Sequence, residues 1–99
     1  MKSFKEIQEI LSAKLPEIRE KFPVKSLGIF GSYVRNEQTK DSDLDVLVEF
    51  DEDNYPSLFQ FLDLEEYLSD ITGVKIDLVP KHALRKRIGK KILSETITL

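Results

Sequence analysis

Asp43-Leu44-Asp45-Val46-Leu47-Val48-Glu49-Phe50 is the stretch whose reading decides the fold. Leu44, Val46, Val48 and Phe50 alternate with Asp43, Asp45, Leu47 and Glu49, which is the period of a half-buried strand. Two residues apart on a strand, Asp43 and Asp45 leave the same face with Cα atoms about 6.5–7 Å apart. At that spacing two carboxylates can grip a shared pair of cations.

Upstream, Leu27-Gly28-Ile29-Phe30 reads as a short buried strand and Gly31-Ser32 as the turn that ends it. Tyr33-Val34-Arg35 is expected to start a short helix, and Asn36 to Ser42 to be loop. A turn between a strand and a helical turn leaves backbone N–H groups free to face an anion, with the Ser32 hydroxyl as a further donor. Glycine there lets a phosphate come close to the backbone. Arg35 is either a phosphate ligand or a brace for the acidic loop.

Downstream, Asn54 to Ser57 opens a helix carrying Leu58, Phe61, Leu62, Leu64, Leu68 and Ile71, which Gly73 is placed to end. Val74 to Val79 reads as a third strand, closed by Pro80. Val74, Ile76 and Leu78 share its apolar face, so Asp77 points the other way. If the strands pair, Asp43, Asp45 and Asp77 converge outside the core. Three like charges held together repel unless a cation joins them. A two-metal site that clamps a phosphoryl group supplies such cations.

At the N-terminus, Phe4, Ile7, Leu11, Leu15, Ile18 and Phe22 mark one face of a helix. Pro16 is expected to kink it or split it in two. Leu84, Ile88 and Ile92 mark a last helix, and residues 96–99 are too short to assign. The order is helix, strand, short helix, strand, helix, strand, helix. The expected fold class is α/β, a small mixed sheet with helices covering one face, over residues 1–99 as one domain.

Composition narrows the chemistry. The chain has 99 residues, no cysteine and one histidine, which removes disulfides, thiolate zinc sites, cysteine nucleophiles and His-rich metal sites. Any metal must sit on carboxylates, which selects a hard ion such as Mg²⁺, Mn²⁺ or Ca²⁺. A net charge of −3 argues against binding along a nucleic-acid backbone. No stretch approaches a membrane span or a signal-peptide core, so a cytoplasmic protein is expected. Glu49 to Asp53 reads as a solvated acidic face. Lys81, Arg85, Lys86, Arg87, Lys90 and Lys91 form a basic run suited to phosphates or an acidic partner. His82 lies outside the carboxylate constellation and is read as a surface or helix-start residue.

Asp41, Asp43, Asp45 and Glu52 also match positions 1, 3, 5 and 12 of an EF-hand loop. Position 6 is then Val46, which resists the positive φ of that turn, and the segment already reads as strand. The calcium loop is rejected on that conflict.

The run Gly31-Ser32-Tyr33-Val34-Arg35-Asn36 … Asp41-Ser42-Asp43-Leu44-Asp45 resembles the Gly-Ser-x-Ala-Arg-Gly … Ser-Asp-x-Asp signature of the DNA polymerase β-like nucleotidyltransferases. It is most similar to the minimal nucleotidyltransferases, small prokaryotic proteins that often act as antitoxins, over nearly the whole chain. Asn36 replaces a Gly and Val34 an Ala. Asn tolerates left-handed backbone, so a turn survives there. The resemblance implies the polymerase β-like fold, two Mg²⁺ ions (or Mn²⁺) on Asp43 and Asp45, and a triphosphate on Gly31 and Ser32. It also implies that Asp77 binds metal and activates the attacking hydroxyl. The reaction expected is transfer of AMP from ATP to an acceptor hydroxyl.

So small a chain leaves little for an acceptor pocket, which makes a hydroxyl on a docked protein attractive. The resemblance implies an antitoxin that adenylylates a HEPN-domain ribonuclease toxin encoded nearby, on tyrosine. Two alternatives stand beside it: a binding module that neutralises its partner by contact alone, and a nucleotidyltransferase acting on a small molecule. Neither nucleic acid nor membrane is an expected partner.

Overall fold

The computed structural model describes residues 2–84 and 86–99, with the side chains of residues 86–88 outside that description. Helix α1, Phe4–Lys21, is capped by Ser3, whose side chain accepts the Glu6 backbone N–H. It is followed by strands β1, Val24–Phe30, and β2, Leu44–Phe50. Helix α2, Leu58–Thr72, leads into β3, Ile76–Pro80, and helix α3, Lys86–Glu95, into β4, Ile97–Thr98. The sheet order is β3-β2-β1-β4. β1 runs antiparallel to both neighbours and β3 parallel to β2, so the sheet is mixed as expected.

The core lies between the sheet and the helices α1 and α2. Ile7, Leu11 and Ile18 of α1 meet Ile29, Leu44, Val46 and Val48 of the sheet and Leu64 and Leu68 of α2, all fully buried. These are the positions that the periodicities of α1 and β2 select. In α2 the buried line runs through Leu64, Leu68 and Thr72, while Leu58 and Leu62 are exposed. At about 100° per residue Leu62 lies about a third of a turn from the middle of that line, and Leu58 is the first residue of the helix. Ser57 and Gln60 form a capping box at the start of α2, and Gly73 ends it in the left-handed conformation, φ 73°.

Pro16 does not divide the first helix. α1 is continuous across it. Pro16 sits on the exposed side, where the Ser12 carbonyl that loses its partner faces water instead of core. Pro16→Ala is therefore expected to restore a helical hydrogen bond and raise stability by up to about 3 kcal/mol. Thermal unfolding reads this directly, and an unchanged midpoint would mean that the missing bond costs nothing at this surface.

Three local expectations change. Tyr33-Val34-Arg35 forms consecutive turns, with Val34 and Arg35 N–H both bonded to the Gly31 carbonyl, and no helix. Asn36 stops the run at φ 57° before a second helical turn can form, in the left-handed region where Asn is tolerated. β3 starts at Ile76, not Val74, and extends through Pro80 at the sheet's edge. Residues 97–98 add a short fourth strand, with Gly28 opposite Thr98. A Cβ on Gly28 would meet the Thr96 side chain, so the glycine admits the returning chain. Arg85, part of the expected basic run, lies outside the described residues. Among those described, no helix is long and apolar enough to cross a membrane.

Candidate active site

Sheet direction assembles the site. β1 is antiparallel to β2, so its last residue, Phe30, lies opposite Asp45 near the start of β2. β3 is parallel to β2, so its own start brings Asp77 into register with Asp45. One end of the sheet thus gathers the turn after β1 and the acids that open β2 and β3. These residues are far apart in sequence and become neighbours only through strand pairing.

Gly31 shows how close the fit is. It holds φ 81°, and a Cβ there would collide with the Asp45 carboxylate. Gly31 is therefore required by backbone conformation and by its carboxylate neighbour, in addition to any ligand it admits. Glu37 N–H bonds to the Ser32 carbonyl at 2.9 Å, closing the turn onto the loop.

Asp45 is half-buried. Burial pushes its carboxyl up to about 6, with further upward pressure from Asp77, its register partner on β3, and from Asp43. The Arg35 charge opposes this rise. Asp77 is exposed, while Ile76 and Leu78 on either side of it are buried, which is the parity read from the sequence. Asp43 lies one residue before β2, because the ladder begins at Leu44, whose N–H bonds to the Lys75 carbonyl at 2.8 Å. The turn at Thr39 to Ser42 precedes it. Asp43 opens with Tyr33, Lys40 and Lys75 onto a cleft of about 730 Å³. Asp45 opens with Gly31, Arg35, Lys91 and Glu95 onto a second cleft, of about 480 Å³. Tyr33 is buried, and burial together with the Asp43 charge holds its hydroxyl above the usual tyrosine range.

Among the described residues, no three carboxylates stand close enough to cage an ion. What the strands do bring together is Asp45 and Asp77, with the Asp43 charge near enough to act on Asp45. All-oxygen donors pressed against one another at an open sheet end suit a hard divalent cation that brings its own water. The donor set fits Mg²⁺ or Mn²⁺ as an open edge, not as a closed cage.

Arg35 is a brace in this structure, but not chiefly of the acidic loop. Its guanidinium donates to both oxygens of Glu95 at 3.1 Å and pairs with Glu37 at 3.5 Å. Glu95 is the charged residue of this cleft that sequence reasoning missed, while Lys91 belongs to the basic run read as suited to phosphates or an acidic partner. A signal for Glu95 existed: it is the single acid between Lys81 and Leu99. His82 stands apart, its Nδ1 2.7 Å from the Tyr55 hydroxyl in a 3-10 turn, consistent with a surface role. Lys81 pairs with Glu49 at 3.7 Å, and Asp51, Glu52 and Asp53 are exposed.

A strand-edge carboxylate set beside a Gly-Ser turn defines an enzyme class through its relatives. The nucleotidyltransferase domain model matches residues 11–99. A Thermococcus cleftensis protein named protein adenylyltransferase MntA is 47% identical over 98% of this chain and 96% of its own length. A Methanocaldococcus jannaschii protein provisionally named a protein adenylyltransferase is 46% identical over 98% of this chain and 97% of its own. A solved minimal nucleotidyltransferase superposes with a TM-score of 0.83 at 30% identity, covering 99% of this chain and 97% of that one. The fold also matches, at TM-score 0.66 and 16% identity, a structure described as a tri-AMPylated Shewanella oneidensis HEPN toxin in complex with its MNT antitoxin. That match covers 93% of this chain and 70% of the other.

The chain belongs to the nucleotidyltransferase domain family, among its minimal nucleotidyltransferases. It is an enzyme of nucleotidyl transfer.

Proposed function

We propose that this enzyme transfers AMP from ATP to a hydroxyl on a partner protein, and that the partner is a HEPN-domain toxin. The observation that carries the reading is the junction of Asp45 and Asp77 with the Gly31-Ser32 turn at an open end of the sheet. Relatives named protein adenylyltransferases support the acceptor class, and the toxin–antitoxin assemblies that share the fold support the partner.

In this reading Gly31 and Ser32 receive the triphosphate. The turn offers backbone N–H groups and the Ser32 hydroxyl to phosphate oxygens. Asp43, Asp45 and Asp77 would hold Mg²⁺ or Mn²⁺, which supplies neutralisation of phosphate charge and a lowered pKa for a bound hydroxyl. Asp77 is exposed, which leaves it open to an arriving acceptor. The acceptor oxygen bonds to the α-phosphorus, the bond to the bridging oxygen breaks, and pyrophosphate leaves with that electron pair. The hydroxyl proton passes to a carboxylate or to water. Among the three acids Asp77 is the most exposed, which suits it to that role. Both clefts open to solvent at the sheet end, so a flexible protein segment can reach the site without being enclosed.

The deciding experiment incubates this protein with α-labelled ATP, Mg²⁺ and the HEPN-domain protein encoded beside it. Label and the mass of one or more AMP groups should appear on the partner, and Asp77→Asn should slow transfer while leaving the complex intact. Neutralisation of the partner without added mass, and insensitive to Asp43→Asn, would instead favour a binding module. Label transferred to a small molecule alone would identify the other alternative.

A further inference from the structure

Glu95, the last residue of α3, meets the turn that follows β1. One of its carboxylate oxygens accepts the Gly31 backbone N–H at 3.1 Å. Both oxygens accept from Arg35 Nη1 at 3.1 Å. The carboxylate is mostly shielded, with its side chain 21% exposed. Asp45 and Lys91 line the same cleft.

The donors that hold this carboxylate would serve a phosphate equally well. A glycine N–H in a tight turn and an arginine guanidinium are the groups that bind a phosphate oxygen. Glu95 brings a negative charge into a cleft where Asp45 is already held against its own repulsion. An anion is drawn there by the donors, despite the acids around it. Glu95 and the oxygens of a triphosphate on this turn would compete for the same N–H and the same guanidinium.

We propose that Glu95 is an internal stand-in for phosphate. It occupies the turn when nucleotide is absent and is displaced when the triphosphate arrives, handing the Gly31 N–H and Arg35 to the ligand. The inference rests on the reading of Gly31-Ser32 as the triphosphate turn. It reconciles the two roles left open for Arg35, which braces α3 in the free protein and binds phosphate in the complex. The exchange is feasible because the Arg35 side of the pair is 44% exposed, so water and an incoming anion can reach the guanidinium. A brief outward movement of the α3 end vacates the turn. The protein then binds nucleotide with its intrinsic affinity reduced by the fraction in which Glu95 is already out.

Calorimetric titration of AMP-PNP with Mg²⁺ tests this without an acceptor. Glu95→Ala is expected to bind about 3- to 10-fold more tightly than wild type, the gain from removing a weakly bound internal competitor. Its melting temperature without nucleotide should fall, because the tie between α3 and the turn is lost. Glu95→Gln keeps an acceptor for the Gly31 N–H but loses the charge on Arg35. It should lie between the two, and it serves if the alanine variant folds poorly. Binding that is unchanged or weaker in both variants overturns the inference and leaves Glu95 as a brace. Arg35→Ala and Ser32→Ala separate this from failure of the underlying reading. If both bind like wild type, the triphosphate sits elsewhere. If both weaken while Glu95→Ala gives no gain, the turn holds the triphosphate and only the displacement is wrong.

Discussion

Asp45→Asn is expected to cost at least about 100-fold in transfer rate, since even the outer partners of a bound metal are worth ~10–100-fold. The same substitution should raise the melting temperature of the metal-free protein. The two results have one cause. Burial, Asp77 and Asp43 together lift the Asp45 carboxyl to about 6, so its ionised form is disfavoured by the fold. The unfolded chain returns it to the ordinary 3.8. The folded protein therefore binds this proton more tightly, and stability rises as pH falls from above 6 towards 4. Above pH 6 the destabilisation is fully present. In EDTA, wild type should melt higher at pH 5 than at pH 7.5, so far as Asp45 controls the difference, and Asp45→Asn should flatten that slope. Added Mg²⁺ should flatten it in wild type and do little in the variant. Near-normal Mg²⁺-dependent turnover by Asp45→Asn, or a pH slope untouched by it, would remove the carboxylate cluster from the mechanism. Asp43→Asn should lose activity comparably, with a smaller gain in stability, because Asp43 is only the third contributor to the strain on Asp45.

Gly31→Val should be more damaging than a simple obstacle to phosphate. The residue holds φ 81°, where a β-branched side chain is strongly disfavoured. Its new Cβ would also collide with the Asp45 carboxylate, which would have to turn out of its present position. Both nucleotide binding and transfer are expected to fall to background, together with a loss of several kcal/mol at most in stability, the scale of strained backbone. Ser32→Ala removes only a hydroxyl, and a hydrogen bond to a charged group is worth about 1.5–3 kcal/mol. It should raise the KM for ATP about tenfold or more with the fold intact. A Gly31→Val protein that folds and turns over normally would mean that neither the turn nor Asp45 occupies the position described.

Much of the fold and part of the site are legible in single stretches of the chain. The alternation from Leu44 to Phe50, the spacing of Ile7, Leu11 and Ile18, and the Gly73 stop each follow from one element's own period or cap. The direction of Asp77 followed from the parity of its apolar neighbours. The Gly-Ser turn and the paired acids were visible because their spacing is local. The continuous first helix was not, because Pro16 is tolerated, at a cost in stability, only on a face that the tertiary fold leaves in water. Nor was the absence of a helix at Tyr33, where Asn36 ends the turns before propensity can accumulate.

The residues by themselves determined the layers of this protein, the faces of its strands and the all-oxygen character of its acidic side chains. Each depends on side-chain type and on the repeat of a single helix or strand. Tertiary structure alone decided which of those acids touch, that Gly31 must yield space to Asp45, and that Glu95 lies on the turn 64 residues before it. Those facts depend on strand direction and register, and on the return of α3 and β4 to the edge of β1. Pairing is a property of two distant segments at once. No local period carries it, so a carboxylate with no motif around it can lie in the same cleft as Gly31, Arg35 and Asp45.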